Sequence, residues 1–496
     1  MRLRNAFLAA TLAIVPVQHA LAAPALPASA AEWRAAAVRD IEAGYRVTLA
    51  EHAGAHDPHN PAFLANLEAA RAHAGALAAR VADGAGYTAA VLAFSSRIQD
   101  GHAGLYPTFD FDAVKPPQWP GFVAAWRGAL FVHRAEAGSA QAGERIVSCD
   151  GKDARTLMEQ NLFPWFGRIR EEGQWWSQTR NLFVDFGNPF VARPQRCVFE
   201  LNGRRTERAL AWRATPASAR NWGRDSVSGE TLPVGITEPR KNLFWVAMPT
   251  FQPSDEERAA YQAMFQQVRN ERGRFLGADA VVVDLRRNQG GSSSWSRDFA
   301  AALWGEARLQ QLDAARNAKV EVWYRASPGN LAYYRRMKEE ETAAGRVDGA
   351  QWWARKEAGM LAAQAAGRPY FVFKDEEEED AKAAAGPAPA PFTRPVYVIV
   401  PGNCASACLD AIDYFKLFPN TKLVGAPSSA DSTYMEVRHE ALPGGLGLVV
   451  VPTKLYVNRP RGNGEFYRPD IPVTALRWDV ATFLEVVERD LAGTRR

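Results

Sequence analysis

Cysteine is scarce in this sequence, four in 496 residues. That excludes a disulfide-dense scaffold and a protein built around thiolate-bound metal. Histidine is scarce as well, eight in all, with no HExxH pair. His52, His56 and His59 stand at helical spacing, but "HDPHNP" carries prolines that break the helix needed to gather them around zinc. No metal and no cofactor are therefore expected. Charge of one sign is nearly absent: the formal net charge is +4, with no Lys/Arg run interleaved with aromatics, which excludes nucleic acid as a partner. No apolar run reaches the roughly 18–20 residues that a membrane span needs. Repeats and phosphate-binding signatures are also missing.

What is present begins with "MRLRNAFLAATLAIVPVQHALAAP". Two arginines, an apolar run of about a dozen residues and a small-residue site at Ala20-Leu21-Ala22 form a secretory signal pattern. Cleavage is expected after Ala22, so residues 1–22 are a signal peptide and the mature protein is periplasmic or secreted. Loss of Arg2 and Arg4 takes the net charge from +4 to +2. In an oxidising compartment the cysteines can pair, and proximity favours Cys149 with Cys197 and Cys404 with Cys408. The second bridge closes a very short loop. Its expected effect is to fix the shape of the turn that holds Ser406.

With 47% hydrophobic residues, the chain is too long for one core. Residues 23–110 read as a helical module: Trp33, Ala37, Ile41 and Tyr45 recur at helical spacing, and "GYTAAVLAFSSRI" is a later helix. Residues 119–215 change period to short strands with Gly and Asp turns. The order of an apolar strand, "GERIVSCDG", a helix and a closing hairpin resembles a PDZ-like domain, with the Trp- and Phe-rich segment 160–195 as an insertion. From 225 to 485 strands alternate with helices, the pattern of βαβ units around a buried sheet. Within this α/β core, residues 306–392 read as a charged helical insertion ending in an acidic Ala/Pro tract.

Two turns in the α/β part carry reactive chemistry. In "VVVDLRRNQGGSS" an apolar strand ends, and Gly290 and Gly291 open a helix. Adjacent glycines let backbone N–H groups face outward at a positive helix end, as an oxyanion hole requires. In "VYVIVPGNCASACLDAIDYF" the layout repeats, with Ser406 and Ala407 at the helix start. There Ser406 is either a nucleophile beside an N–H donor or a helix N-cap.

Taken together, the two stretches resemble the C-terminal-processing (tail-specific) and tricorn-like serine peptidases, whose core is a ClpP–crotonase-type αβ spiral. "DLRRNQGG" is similar to the family's oxyanion-hole motif, and "SAC" at Ser406–Cys408 to its nucleophile motif. "LVGAPSSADST" resembles the Gly-x-x-Thr-x-Gly segment, and Pro469-Asp470-Ile471 the closing Pro-Asp-Ile/Val motif. The resemblance implies Ser406 as nucleophile, with Gly290 or Gly291 and Ala407 donating to the oxyanion. Tail-specific members use a lysine base, but that slot here holds Asp431, a poor base at neutral pH. The tricorn-like branch uses an upstream histidine, and "IQDGHAG" offers His102. An imidazole serves near pH 7 without the depression of about 3 units that a lysine needs. His439 is the rival base. Glu465 is the candidate third group, with Asp431 and Glu436 as rivals.

The expected protein is an exported serine endopeptidase acting on extended or unfolded polypeptides. The alternative is a catalytically silent peptide-binding scaffold on the same fold, kept open by Asp431 in the lysine slot and by Leu409 after "SAC". Nothing in the sequence sets an oligomeric state.

Overall fold

The computed structural model describes residues 25–110, 115–373 and 390–494. The expected signal peptide and most of the acidic Ala/Pro tract lie outside these residues.

A six-stranded sheet forms the centre of the α/β part, in the order Gly235–Arg240, Leu243–Ala247, Ala280–Asp284, Val396–Val400, Thr421–Gly425 and Ile471–Pro472. The first pair is an antiparallel hairpin and every later neighbour is parallel. Leu243–Ala247, Ala280–Asp284 and Val396–Val400 are buried at every position. That is why "AVVVD" and "VYVIV" read as unbroken apolar runs rather than as alternating ones. One face is covered by helices Asp255–Asn270, Ser294–Trp304 and Ala407–Phe415. The other is covered by the C-terminal helix Val480–Thr494 and the side chains of Trp176, Trp245 and Trp478. Helix starts follow their caps: Ser254 and Glu257 form a capping box for Asp255–Asn270. The motif at Pro469-Asp470-Ile471 closes the sheet. Asp470 accepts the Leu423 N–H at 2.7 Å, and Ile471 pairs with Val424.

The N-terminal helices Ala30–Glu51, Ala62–Ala78 and Gly84–Ile98 share one core with a second, antiparallel sheet. Strand Gly104–Pro107, directly after the third helix, pairs with Gly447–Val457, which also pairs with Tyr434–Ala441 and Glu321–Arg325. Residues 306–392 thus contain two strands, Glu321–Arg325 and Tyr370–Phe373, as well as the expected helices. The purely helical expectation missed them because each is only five or four residues long between strong helix formers.

The β-rich module is an antiparallel sheet in the order Phe122–Trp126, Leu130–Ala135, Arg145–Cys149, Arg196–Leu201, Arg204–Ala209. Its two middle strands are joined at Cys149–Cys197. The aromatic insertion folds into short helices, of which Glu172–Gln178 lies against the α/β core. Gln174 Nε2 donates to Ser429 Oγ at 2.6 Å, and Glu172 pairs with Arg468. Among the described residues no helix is long and apolar enough to cross a membrane.

Candidate active site

Strand Val396–Val400 ends in the turn Pro401–Ala405, and helix Ala407–Phe415 begins beyond it. Ser406 sits between them with φ 54° and ψ −128°. A positive φ at a non-glycine residue is strained and needs its surroundings to hold it. Cys404 and Cys408 are bonded to each other across Ser406, and both are fully buried. The Ser406 N–H donates to Asp431 Oδ1 at 3.0 Å. The Ser406 hydroxyl makes no capping bond to the helix it precedes. The half-buried side chain is thus spared the N-cap role that its position would otherwise suggest.

The second turn comes up beside it. Asp284 and Arg286 of "DLRRNQGG" form a buried ion pair at 2.6 Å, tied to Trp245 Nε1 and the Trp478 carbonyl. These residues anchor the turn, which sets Gly290 against Ser406 and Gly291 against Phe251. Gly290 and Gly291 have φ 111° and 131°. A Cβ built on Gly290 would lie 2.7 Å from the Ala405 carbonyl oxygen, 2.9 Å from Ser406 Cβ and 3.1 Å from the Ala407 nitrogen. No other residue fits there. The Gly290 N–H is taken by Asn288 Oδ1 at 2.9 Å, and its carbonyl by Phe251 N–H at 3.2 Å. Among the described residues the N–H groups of Gly291 and Ala407 carry no hydrogen bond, and Ala407 begins the helix.

His102 follows the third N-terminal helix in a tight turn. Its N–H donates to Asp100 Oδ1 at 2.9 Å. Asp100 is buried, accepting from Ser432 Oγ at 2.6 Å and contacting His52 Nε2 at 2.9 Å. Burial works to raise the Asp100 carboxyl, but the His52 bond, with lesser help from His102 and Ser432, holds it below the usual range. Gly101 lies against Arg168, whose guanidinium reaches the Ala430 carbonyl at 3.4 Å. The His102 turn and segment 430–432 are therefore neighbours, and the latter touches Ser406. The His102 ring makes no hydrogen bond to Ser406 among the described residues, and its Nδ1 is buried without a partner.

The three candidate third groups are elsewhere engaged. The exposed Glu465 accepts from Gly462 N–H at 2.8 Å, within its own loop. Glu436 pairs with Lys454 at 2.9 Å. Asp431 faces the Ser406 backbone and Arg461 at 3.3 Å. None meets the His102 ring. His439 lies exposed on strand Tyr434–Ala441. His52, His56 and His59 diverge to Asp100, Arg325 and Asp57 respectively.

Charge is dense beside the helix start. Arg461 contacts Asp410 at 2.8 Å and Asp413 at 3.0 Å besides Asp431, and Arg459 also pairs with Asp410. Burial would lower the Arg461 guanidinium, and the surrounding Asp413, Asp410 and Asp431 carboxylates more than reverse it. Sequence reasoning missed this cluster. It also missed Glu171, which accepts the Ala430 N–H at 3.1 Å from the aromatic insertion. Neither carries a local motif.

The family model for peptidase family S41 matches residues 243–473. Among solved structures, mature CPAF complexed with lactacystin superposes with a TM-score of 0.59 at 12% identity, covering 92% of this chain and 98% of that one. Mature CPAF alone gives 0.57 at 13% identity, over 88% and 92% of the two chains. At such identities these likenesses speak for the fold. No curated protein matches the chain. The matched segment runs from the first parallel strand of the central sheet to its last and takes in both glycine- and serine-bearing turns, so it is the α/β core of this chain that is similar to peptidase family S41.

Proposed function

We propose that the protein is an exported endopeptidase that cleaves extended or unfolded polypeptides through a Ser406–His102 pair. The observation that carries this reading is the Ser406 backbone, held at φ 54° with its hydroxyl outside any capping bond and Gly290 packed against it. Ser406 Oγ attacks the scissile carbonyl carbon, and its proton passes to the His102 imidazole. The imidazolium gives that proton to the leaving amine, and water then resolves the acyl-enzyme by the same route. The N–H groups of Ala407 and Gly291 stabilise the oxyanion. Gly290, whose own N–H is held by Asn288, contributes closeness instead. Catalytic hydrogen bonds are often long in the free enzyme and tighten on substrate, so the ring must close on Ser406 when the groove is filled.

The PDZ-like module would hold an extended peptide along a sheet edge, for which Phe122–Trp126 and Arg204–Ala209 are the outer strands. Two disulfides, Cys149–Cys197 and Cys404–Cys408, favour an exported location. The test is digestion of a denatured protein substrate together with fluorophosphonate labelling. Ser406→Ala and His102→Ala should each abolish digestion, and label should attach at Ser406. An unaltered protein that takes no label and digests nothing would instead be a silent scaffold.

A further inference from the structure

Ser406 and His102 are some three hundred residues apart, and no direct hydrogen bond joins them. What does join them is a pair of consecutive residues. Asp431 Oδ1 accepts the Ser406 N–H at 3.0 Å. Ser432 Oγ donates to Asp100 Oδ1 at 2.6 Å, and that same oxygen accepts the His102 N–H at 2.9 Å. Each half of the proposed pair is thus held through its backbone, and the two holds are adjacent in sequence.

Both holds are braced from behind. Asp431 Oδ2 receives Arg461 Nη1 at 3.3 Å, and Arg461 is itself fixed by Asp410 and Asp413, so the carboxylate meets a positioned cation on its far side. Asp100 Oδ2 lies 2.9 Å from His52 Nε2. His52 Nδ1 accepts the Gly54 N–H at 2.8 Å, which places the ring proton on Nε2 and aims it at Asp100. Asp431, Ser432, Asp100 and His52 are all buried. Polar side chains out of water hold their geometry when each polar atom has a partner, as do both carboxylate oxygens of Asp431 and of Asp100.

We propose that Asp431 and Ser432 are positioning residues that set the register between Ser406 and His102. On this view the slot that holds the base in the lysine branch serves here as a strut. The proposal rests on the Ser–His reading, and it locates the element that makes that reading geometrically possible.

The experiment uses the full mature chain. Ser432→Ala should lower kcat on an unfolded polypeptide by about 10–100-fold with KM held within about twofold, since misplacement by about 1 Å costs on the order of a hundredfold. Ser432→Thr, which keeps the hydroxyl, should recover most of the loss. Asp431→Ala should lower kcat to a similar extent, and Asp431→Asn, which keeps an acceptor, should recover most of it. Amide hydrogen exchange reads the struts independently of activity: Ser432→Ala should speed exchange at 99–104, and Asp431→Ala at 404–408. If His102→Ala keeps full activity, the Ser–His reading is wrong, and with it the register claimed here, whatever the exchange data show. If His102→Ala is inactive but Ser432→Ala retains the kcat of the unaltered enzyme, only the strut proposal is overturned. Failure of the Thr and Asn variants to recover activity would overturn it as well.

Discussion

The Ser406 turn and the His102 turn are built by opposite means. The first ends a parallel strand buried on both faces, and its shape is dictated locally by the strand, helix, disulfide and glycines. The second is a surface-reaching turn after a helix, and its shape is dictated by buried side chains from elsewhere: His52 and Ser432, through Asp100. Packing makes the Ser406 turn stiff, and a polar network makes the His102 turn stiff. Substitutions that add volume should therefore damage the first, and those that remove a hydrogen bond the second.

The largest expected effect follows from adding one carbon to each turn. Gly290→Ala places a methyl group 2.7 Å from the Ala405 carbonyl at φ 111°, against backbone that cannot yield. Loss of the oxyanion geometry should lower kcat by about a thousandfold. Gly101→Ala meets only the end of the Arg168 side chain, at 3.0 Å, which can move aside. It should stay within about tenfold of the unaltered kcat. Equal losses in steady-state kinetics would erase the distinction.

The converse removes a partner. His52→Ala leaves Asp100 buried without its ring donor and should destabilise the protein by about 2–4 kcal/mol. The pH dependence carries a defined sign. The Asp100 carboxyl is held below its ordinary 3.8, so the stability it contributes is present above that value and lost as pH falls below it. Thermal melts of the unaltered protein should therefore steepen below about pH 4, and Asp100→Asn should flatten that limb.

How much of this was legible in the sequence divides along the same line. "AVVVD" and "VYVIV" announce buried parallel strands, and the residues after each announce their turns, because the information is contiguous. His102 was legible only through its "DGH" phrase. Its support was not: His52 suggested at most a failed zinc ligand, whereas it ends helix Ala30–Glu51, caps the following turn and meets Asp100. Asp431 was legible as a carboxylate in the wrong slot, but not as the acceptor of the Ser406 N–H. Hydrogen bonds across 25 or 332 residues leave no periodicity to read. The strands Glu321–Arg325 and Tyr370–Phe373 did leave a signal, in "EVWYR" and "YFVF", that the charged helices around them obscured.

The disulfides sharpen the contrast at intermediate size. In the chain-entropy account, closing the loop from Cys149 to Cys197 is worth about 4 kcal/mol, and closing that from Cys404 to Cys408 about 2 kcal/mol. Replacing the first pair with alanine should cost the larger share of stability and leave kcat within about threefold. Replacing the second should cost less stability and lower kcat by about tenfold, because it frees the turn around Ser406. Paired melts and kinetics would show whether stability and activity separate in this way.

The smallest expected effect concerns Glu465. A carboxylate that orients the imidazole must reach Nδ1, and triads lose about four orders of magnitude in kcat when that contact is made wrong. Glu465 instead points into its own loop, accepting from Gly462, and is exposed. Its charge is solvated and its hydrogen bond is local. Glu465→Gln should accordingly leave kcat within about twofold, and the same substitution should leave the melting temperature nearly unchanged. A hundredfold loss in kcat would mean that loop 461–466 refolds onto His102 when substrate binds. The His102 turn would then be completed from the Ser406 side of the molecule, and the separation between the two turns would hold for the free enzyme alone.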